Sequence, residues 1–300
     1  MIFAAKGASD GIYLAFDKND TDIISLAQIH RNRGLKRRGK EGEGSYSVLV
    51  DVVASTSTSE ENITAATTGN GFATTMCFTF IVEDDMMCAL GKQNPAGSFD
   101  DCPSIPVAAD FMAEDGASLD LDALNAEVAQ AFRRPSAADV QWPADLPGLW
   151  KGTEFYAQDN GVVTEGPIYT VITEGYAPNP WIFLDAENSS KIVSANVGKF
   201  SGAERLPNGA NVYRNAVFKY MPGTDAEHRA GRERWCNSYV VVDDDEMFML
   251  SNSAAEGSEE EKEAPECPEA PDPKRFSPYD AVEKKAFGAN AAGVLTRQYE

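Results

Sequence analysis

The sequence predicts a mainly β protein: an antiparallel barrel or sandwich in the C-terminal half, with a smaller α+β part ahead of it. Three observations predict that class. Residues 147–250 break into short apolar runs punctuated by Gly, Pro and Asn. Two earlier runs, 45–55 and 71–82, alternate in polarity and are rich in β-branched and aromatic residues. No G-x-G-x-x-G, Walker A, H-E-x-x-H or G-x-S-x-G motif announces nucleotide or hydrolase chemistry.

The chain has 300 residues, 43% hydrophobic and 10% aromatic, which is material for one large core or two ordinary ones. Lys and Arg number 26 against 47 Asp and Glu, a formal charge of −21. Such a chain repels nucleic acid and anionic membranes unless a local basic patch overrides the mean. No apolar run approaches the roughly 18–20 residues of a membrane span. The first seven residues are too short and too soon interrupted for a signal peptide, and Asp10, Asp17, Asp20 and Asp22 argue against an acid-poor transit peptide.

Residues 1–117 read as an α+β region with one hairpin. Ile12–Phe16 is a short apolar piece. A helix is expected next, capped by Asp20 or Thr21 and striped by Ile24, Ala27 and His30 or by Ile23, Leu26 and Ile29, with Gly34 as its stop. Arg31, Arg33, Lys36, Arg37, Arg38 and Lys40 then form the basic cluster of an acidic protein. It reads as a solvated helix end, as a dock for an acidic partner or the chain's own acidic tail, or as a grip on nucleic acid phosphate; no aromatic is interleaved to favour the last. Residues 45–55 are a strand. Residues 71–82 are another, with Phe72, Thr74, Met76, Phe78, Phe80 and Val82 on one face. Glu83-Asp84-Asp85 turns the chain into Met86–Leu90.

Residues 118–147 read as helix and linker. Leu121, Leu124, Val128, Ala131 and Phe132 follow helical spacing, Arg133-Arg134 suit the C-terminal end, and Pro135 stops it. Residues 148–251 read as the barrel-like domain, with strands near 149–157, 166–174, 180–186, 190–198, 211–220, 235–242 and 246–251, and turn signals at Asp159-Asn160-Gly161 and Pro207-Asn208-Gly209. Residues 252–300 read as an acidic, Pro-rich extended tail with a short helix near Tyr279–Phe287.

None of the five cysteines lies in a C-x-x-C pair, so the spacing does not indicate structural zinc; Cys88 and Cys102 can close a short loop. Asn62-Ile63-Thr64 and Asn188-Ser189-Ser190 fit the glycosylation pattern. The stretch from Cys77 to Met87 echoes that from Cys236 to Met247, strand, acidic turn, strand. Only His30 and His228 offer imidazoles, so enzyme chemistry would rest on His228 with Cys236. The acidic tips Glu83-Asp84-Asp85 and Asp243-Asp244-Asp245-Glu246 gather hard oxygens, but without EF-hand spacing; a charged hairpin end that discourages edge pairing explains them more simply.

Gly148-Leu149-Trp150 resembles the G-x-W that opens the first strand of lipocalins and related calycin barrels. The resemblance implies a barrel from Leu146 to about Leu250, closed at its base by the Trp, with an arginine from a late strand across it; Arg232 or Arg234 is the expected partner. It implies an apolar cup for a pigment or lipid, with Trp150, Phe155, Tyr169, Trp181, Phe183, Phe218, Tyr239 and Phe248 as interior candidates. Plain core packing is the competing account of those aromatics. The sequence specifies no cofactor. The favoured reading is a non-enzymatic accessory subunit that docks on other protein subunits through its charged segments. A lipocalin-like carrier of a small apolar ligand is the close rival.

Overall fold

The computed structural model describes residues 2–4, 8–16, 24–38, 44–57, 74–83, 86–105, 111, 119–133, 146–157, 163–172, 178–205, 211–221, 235–243, 245–253, 266–270, 272, 276–284, 286–289 and 291–298. The chain forms two compact units, one of residues 29–53 and 69–137 and one of residues 2–28, 54–68 and 138–300. Strands β1 (Ile2–Ala4), β2 (Asp10–Phe16), β3 (Ile24–Arg37), β4 (Ser45–Ser57), β5 (Thr74–Glu83), β6 (Met86–Gln93) and β7 (Val128–Arg133) pair in chain order as one seven-stranded sheet. β3 and β4 each run through both units.

In the smaller unit, β5 and β6 form the expected hairpin, with Glu83 opposite Met86. The face of β5 that carries Met76, Phe78 and Phe80 is half-buried. Its opposite face, Thr75, Cys77 and Thr79, is the fully buried one. The reason is a crosslink: Cys77 is bonded to Cys102, with 5.4 Å between their Cα atoms, and Leu49 and Phe99 pack around it. Ser47 and Thr79 hydroxyls, 2.8 Å apart, satisfy each other on that face. The loop anticipated between Cys88 and Cys102 is therefore replaced by one between Cys77 and Cys102; Cys88 is buried and carries no disulfide.

Two expected helices are strands. Residues 24–37 form β3, because Ala27 and Ile29 satisfy a period of two as well as Ile24 and Ala27 satisfy a helical one, and pairing on both sides decides. The helix expected over 118–134 lasts one turn. The Asp120 side chain accepts from the Ala123 N–H at 3.0 Å, but Asn125 adopts φ 53° and ends the turn. The chain then pairs as β7 along β6, Gly91 opposite Val128. Among the described residues the N-terminal region is strand with short 3-10 turns such as Phe99–Asp101, and the α+β character expected of it is not confirmed.

In the larger unit, β8 (Gly148–Ala157), β9 (Val163–Ile172), β10 (Pro178–Leu184), β11 (Ile192–Arg205), β12 (Asn211–Met221), β13 (Trp235–Val241), β14 (Glu246–Ser253) and β15 (Ala291–Gln298) form a closed antiparallel barrel, each paired with the next and β15 with β8. The seven strands read from residues 149–251 are all present. The turn signals at 159–161 and 207–209 lie outside the described residues. The eighth strand comes from the segment read as tail. Its sequence, Ala291-Ala292-Gly293-Val294-Leu295, has weak strand preference, and two flanking partners, β14 and β8, impose the conformation.

The rest of the described tail lies against the barrel's outer wall. Cys267 is bonded to Cys236 of β13, the Ser238 hydroxyl donates to the Pro268 carbonyl at 2.8 Å, and the Asn252 amide donates to the Glu266 carbonyl at 3.0 Å. Phe276 packs on Phe248, ring centres 4.9 Å apart, over Val240 and Leu250. Helix α1 (Pro278–Glu283), shorter than the expected one and capped by Ser277, buries Ala281 and Val282 against Phe155 and Ala292. An extended solvated tail is excluded for these residues, because burying such side chains contributes about 1.5–3 kcal/mol each.

Other outer positions are covered by the first strands of the same unit. Lys151 of β8 reaches Asp10 of β2 at 2.7 Å, and the Asp10 side chain is almost wholly buried. The Ser55 amide donates to the Ser190 carbonyl at 3.3 Å. Between β10 and β11, the Asp185 carboxylate accepts from the Glu187 and Asn188 amides at 2.9 and 3.0 Å, which shapes that loop and lowers the carboxyl's pKa.

Candidate functional site in the barrel interior

Opposed residues on antiparallel strands share a face, so the register assigns the inner wall. Trp150 pairs with Thr170, Thr170 with Trp181, and Trp181 with Asn196. On the other side, Trp150 pairs with Arg297 and Gly152 with Leu295. Leu146, Trp150, Ile168, Ile172, Trp181, Tyr239, Met247, Met249 and Leu295 form one buried cluster, with Phe183 and Val241 packed against it. Trp181 and Tyr239 stack with ring centres 5.5 Å apart and planes 3° from parallel.

The base is built from Leu146, Gly148, Trp150 and Arg297. The Arg297 guanidinium lies over the Trp150 ring, 4.6 Å from its centroid. Its side chain runs along Gly148, where a Cβ would meet Cγ, Cδ and Nε at 3.5 Å. The Trp150 indole N–H donates to the Leu146 carbonyl at 2.9 Å. Gly148 and Trp150 thus take the form they do because a long cationic side chain must lie flat across both. The arginine is Arg297 of β15; Arg232 and Arg234 lie outside the described residues.

Of the aromatic interior candidates, Trp150, Trp181, Phe183 and Tyr239 are inside. Phe155 faces outward against Tyr279, Phe248 faces outward against Phe276, and Tyr169 lies outside beneath the Lys151 ammonium, 4.9 Å from the ring centre. Each sits one residue out of phase with the inward set. The Phe218 side chain is outside the described residues.

Polar groups are also inside. Ser251 donates to the Asn237 Oδ1 at 2.8 Å, and the Asn237 amide donates to the Tyr239 hydroxyl at 3.3 Å. The Asn179 amide donates to Thr170 Oγ1 at 3.2 Å, and Thr170 donates to the Pro180 carbonyl at 2.7 Å. Trp181 Nε1 and Asn196 Oδ1 are buried and make no hydrogen bond. Glu154 is 9% exposed, and burial alone pushes its pKa up to about 8. Glu154 was legible in principle, since it follows Trp150 and Gly152 at a period of two. Arg297 carried no signal, lying in a stretch that reads as tail.

The other sequence candidates go elsewhere. Cys236 is bonded to Cys267, so its sulfur is no nucleophile and the His228–Cys236 site is excluded; His228 is outside the described residues. His30 stacks on Phe78, ring centres 5.9 Å apart, and burial lowers its pKa to about 4. The basic residues run along β3. Arg33 bonds to Thr75 at 3.1 Å and pairs with Asp51 at 3.5 Å. Arg38 donates to Ser47 and to the Phe99 carbonyl at 2.9 and 3.0 Å. Lys36 lies 3.7 Å from Asp100 and 5.9 Å from the Phe99 ring centre. Arg31 and Arg37 are exposed on the same strand, and Lys40 lies outside the described residues. Asp243 accepts from the Asp245 and Glu246 amides at 2.8 and 2.9 Å, capping its own turn. Among the described residues no cluster of three metal-ligating side chains occurs, and no helix is long and apolar enough to cross a membrane.

Comparison with protein-family models and with curated proteins finds no match to this sequence.

Proposed function

We propose that the barrel is a carrier that holds a small, largely apolar ligand in its interior, as the lipocalin-like G-x-W suggests. One observation carries this reading: the buried indole N–H of Trp181 and the neighbouring Asn196 Oδ1 lack partners, while the other inward indole, Trp150, has one. A buried polar group without a partner costs about 1–3 kcal/mol, so an adjacent donor and acceptor left open call for an occupant. Apolar walls from Ile168, Phe183, Met247 and Met249 suit the rest of a ligand. The two disulfides suit a carrier working in an oxidising compartment.

Docking through charged tails has weaker support. The tail's Cys267–Ala270 segment is engaged with its own barrel, and Arg33, Lys36 and Arg38 are engaged within their own unit. Native mass spectrometry of protein taken from its source tests the carrier reading. A stoichiometric small molecule, released on unfolding, is expected. An empty barrel whose tryptophan emission is also indifferent to a fatty alcohol, a fatty amine and a fatty acid overturns it.

A further inference from the structure

Glu154 is the one acidic side chain on the inner wall among the described residues, and its surroundings are unusual. Its register partners on both sides are glycines, Gly166 on β9 and Gly293 on β15. A Cβ at Gly166 would meet only the Leu184 carbonyl, at 3.5 Å. A Cβ at Gly293 would crowd the Thr153 carbonyl at 3.1 Å and the Glu154 Cα at 3.6 Å. Beyond Gly293 the wall stays low, with Ala291 opposite Tyr156 and Ser251 opposite Ala291. The carboxyl therefore stands in a niche from which neighbouring side chains are missing, whereas Trp150, Trp181, Met247 and Leu295 line other parts of the interior.

No hydrogen bond or ion pair to this carboxyl is made among the described residues, and desolvation is the sole cause of its raised pKa. The ionisable groups on the inner faces of the surrounding strands are Tyr156 on β8, Tyr239 on β13 and Arg297 on β15, among the described residues. Arg297 is stacked on Trp150, four residues along β15 from Gly293. Tyr239 turns its hydroxyl to Asn237. Among the described residues no cation is thus supplied at Glu154. A chain of charge −21 concentrates cations at its surface and repels anions.

We infer that the niche at Glu154 receives the protonated amine of an organic cation, with the carboxylate as its counter-charge. The inference rests on the carrier reading and specifies its ligand class. On binding, the neutral carboxylic acid gives its proton to solvent, the ammonium keeps its own, and one ion pair forms. The ligand's apolar body extends toward Met249 and Tyr239, the next positions in the same row.

Isothermal titration calorimetry with decylammonium, decanol and decanoate tests this. Decylammonium is expected to bind most tightly, with affinity rising about tenfold from pH 6 to pH 7 and levelling above the Glu154 pKa of about 8. Close to one proton should be released near pH 7, read from buffers of different ionisation enthalpy. Glu154→Gln should abolish the pH slope and the proton release and weaken decylammonium at least tenfold, leaving decanol unchanged. Gly166→Val should weaken decylammonium by filling the niche while the carboxyl stays. Decanol binding equally well or better, or a Glu154→Gln protein that keeps the amine preference, overturns the inference and leaves the carrier reading standing. Failure of all three probes overturns both.

Discussion

The guanidinium carbon of Arg297 lies 4.6 Å from the centre of the Trp150 ring, so the last barrel strand and the first are joined by a cation resting on an indole face. A desolvated contact of this kind contributes about 2 kcal/mol. Arg297→Ala is expected to lower barrel stability by about that amount, and Arg297→Lys by less. Denaturant titration followed by tryptophan emission checks it; equal midpoints for the wild type and the alanine variant would show the contact to be idle.

Lys151 and Asp10 form a second long-range pair, 2.7 Å apart, with Asp10 almost wholly inside. Lys151→Met leaves that carboxylate buried without its cation, which costs about 3–5 kcal/mol. The double change Lys151→Met with Asp10→Leu should recover most of the loss. A double-mutant cycle in urea measures this.

Glu154 makes stability depend on pH with a definite sign. Its folded pKa is about 8 against an ordinary 4.5, so between those values the folded state holds a proton that the unfolded state has lost. Below pH 4.5 there is no penalty; stability then falls as pH rises toward 8, by at most about 5 kcal/mol at 1.36 kcal/mol per pKa unit. Glu154→Gln should remove this fall, so that the variant gains on the wild type steadily from pH 5 to pH 8. A parallel pair of pH–stability curves would contradict the assignment.

His30 acts in the opposite direction. Its folded pKa of about 4 lies below the ordinary 6.5, so acid protonates the unfolded chain first. Stability contributed by neutral His30 is present above pH 6.5 and lost between there and pH 4, by about 3 kcal/mol. His30→Phe, which keeps the stack on Phe78, should flatten the acid limb; proton NMR of His30 should show no titration above pH 5.

Much of the barrel was legible because its strands alternate and are cut by turn residues. The seven runs between 149 and 251 gave the antiparallel class and its approximate boundaries. What failed did so for physical reasons. β3 and β7 contain apolar positions whose spacings fit helix and strand alike, and their partners decided. β15 opens with Ala291, Ala292 and Gly293, a start that discloses nothing until β8 and β14 flank it. The interior aromatics were half right. Trp150, Trp181, Phe183 and Tyr239 are inward, while Phe155, Tyr169 and Phe248 are one residue out of phase, and a choice by residue type ignores phase. The polar interior was overlooked because Glu154 and Asn196 look like ordinary surface residues in an acidic chain.

The Cys236–Cys267 bond joins β13 to the segment that leads back to β15. Closing this loop contributes roughly 3–4 kcal/mol by the chain-entropy relation. Cys236→Ser with Cys267→Ser should lower the barrel's denaturation midpoint accordingly. The Cys77–Cys102 unit should be affected little, which hydrogen exchange of β5 against β13 would resolve.

The pairing of β15 with β8 also bears on how the barrel is assembled. β8 through β14 can form as a meander of strands adjacent in sequence. The seam then waits for a strand encoded far downstream, and loop closure of that length is slow. During the wait β8 and β14 each present a bare row of N–H and C=O groups, a template on which the same strand from a second copy fits as well as the chain's own. The Cys236–Cys267 crosslink shortens the tether on which β15 searches, so oxidation before closure favours self-pairing over exchange between molecules.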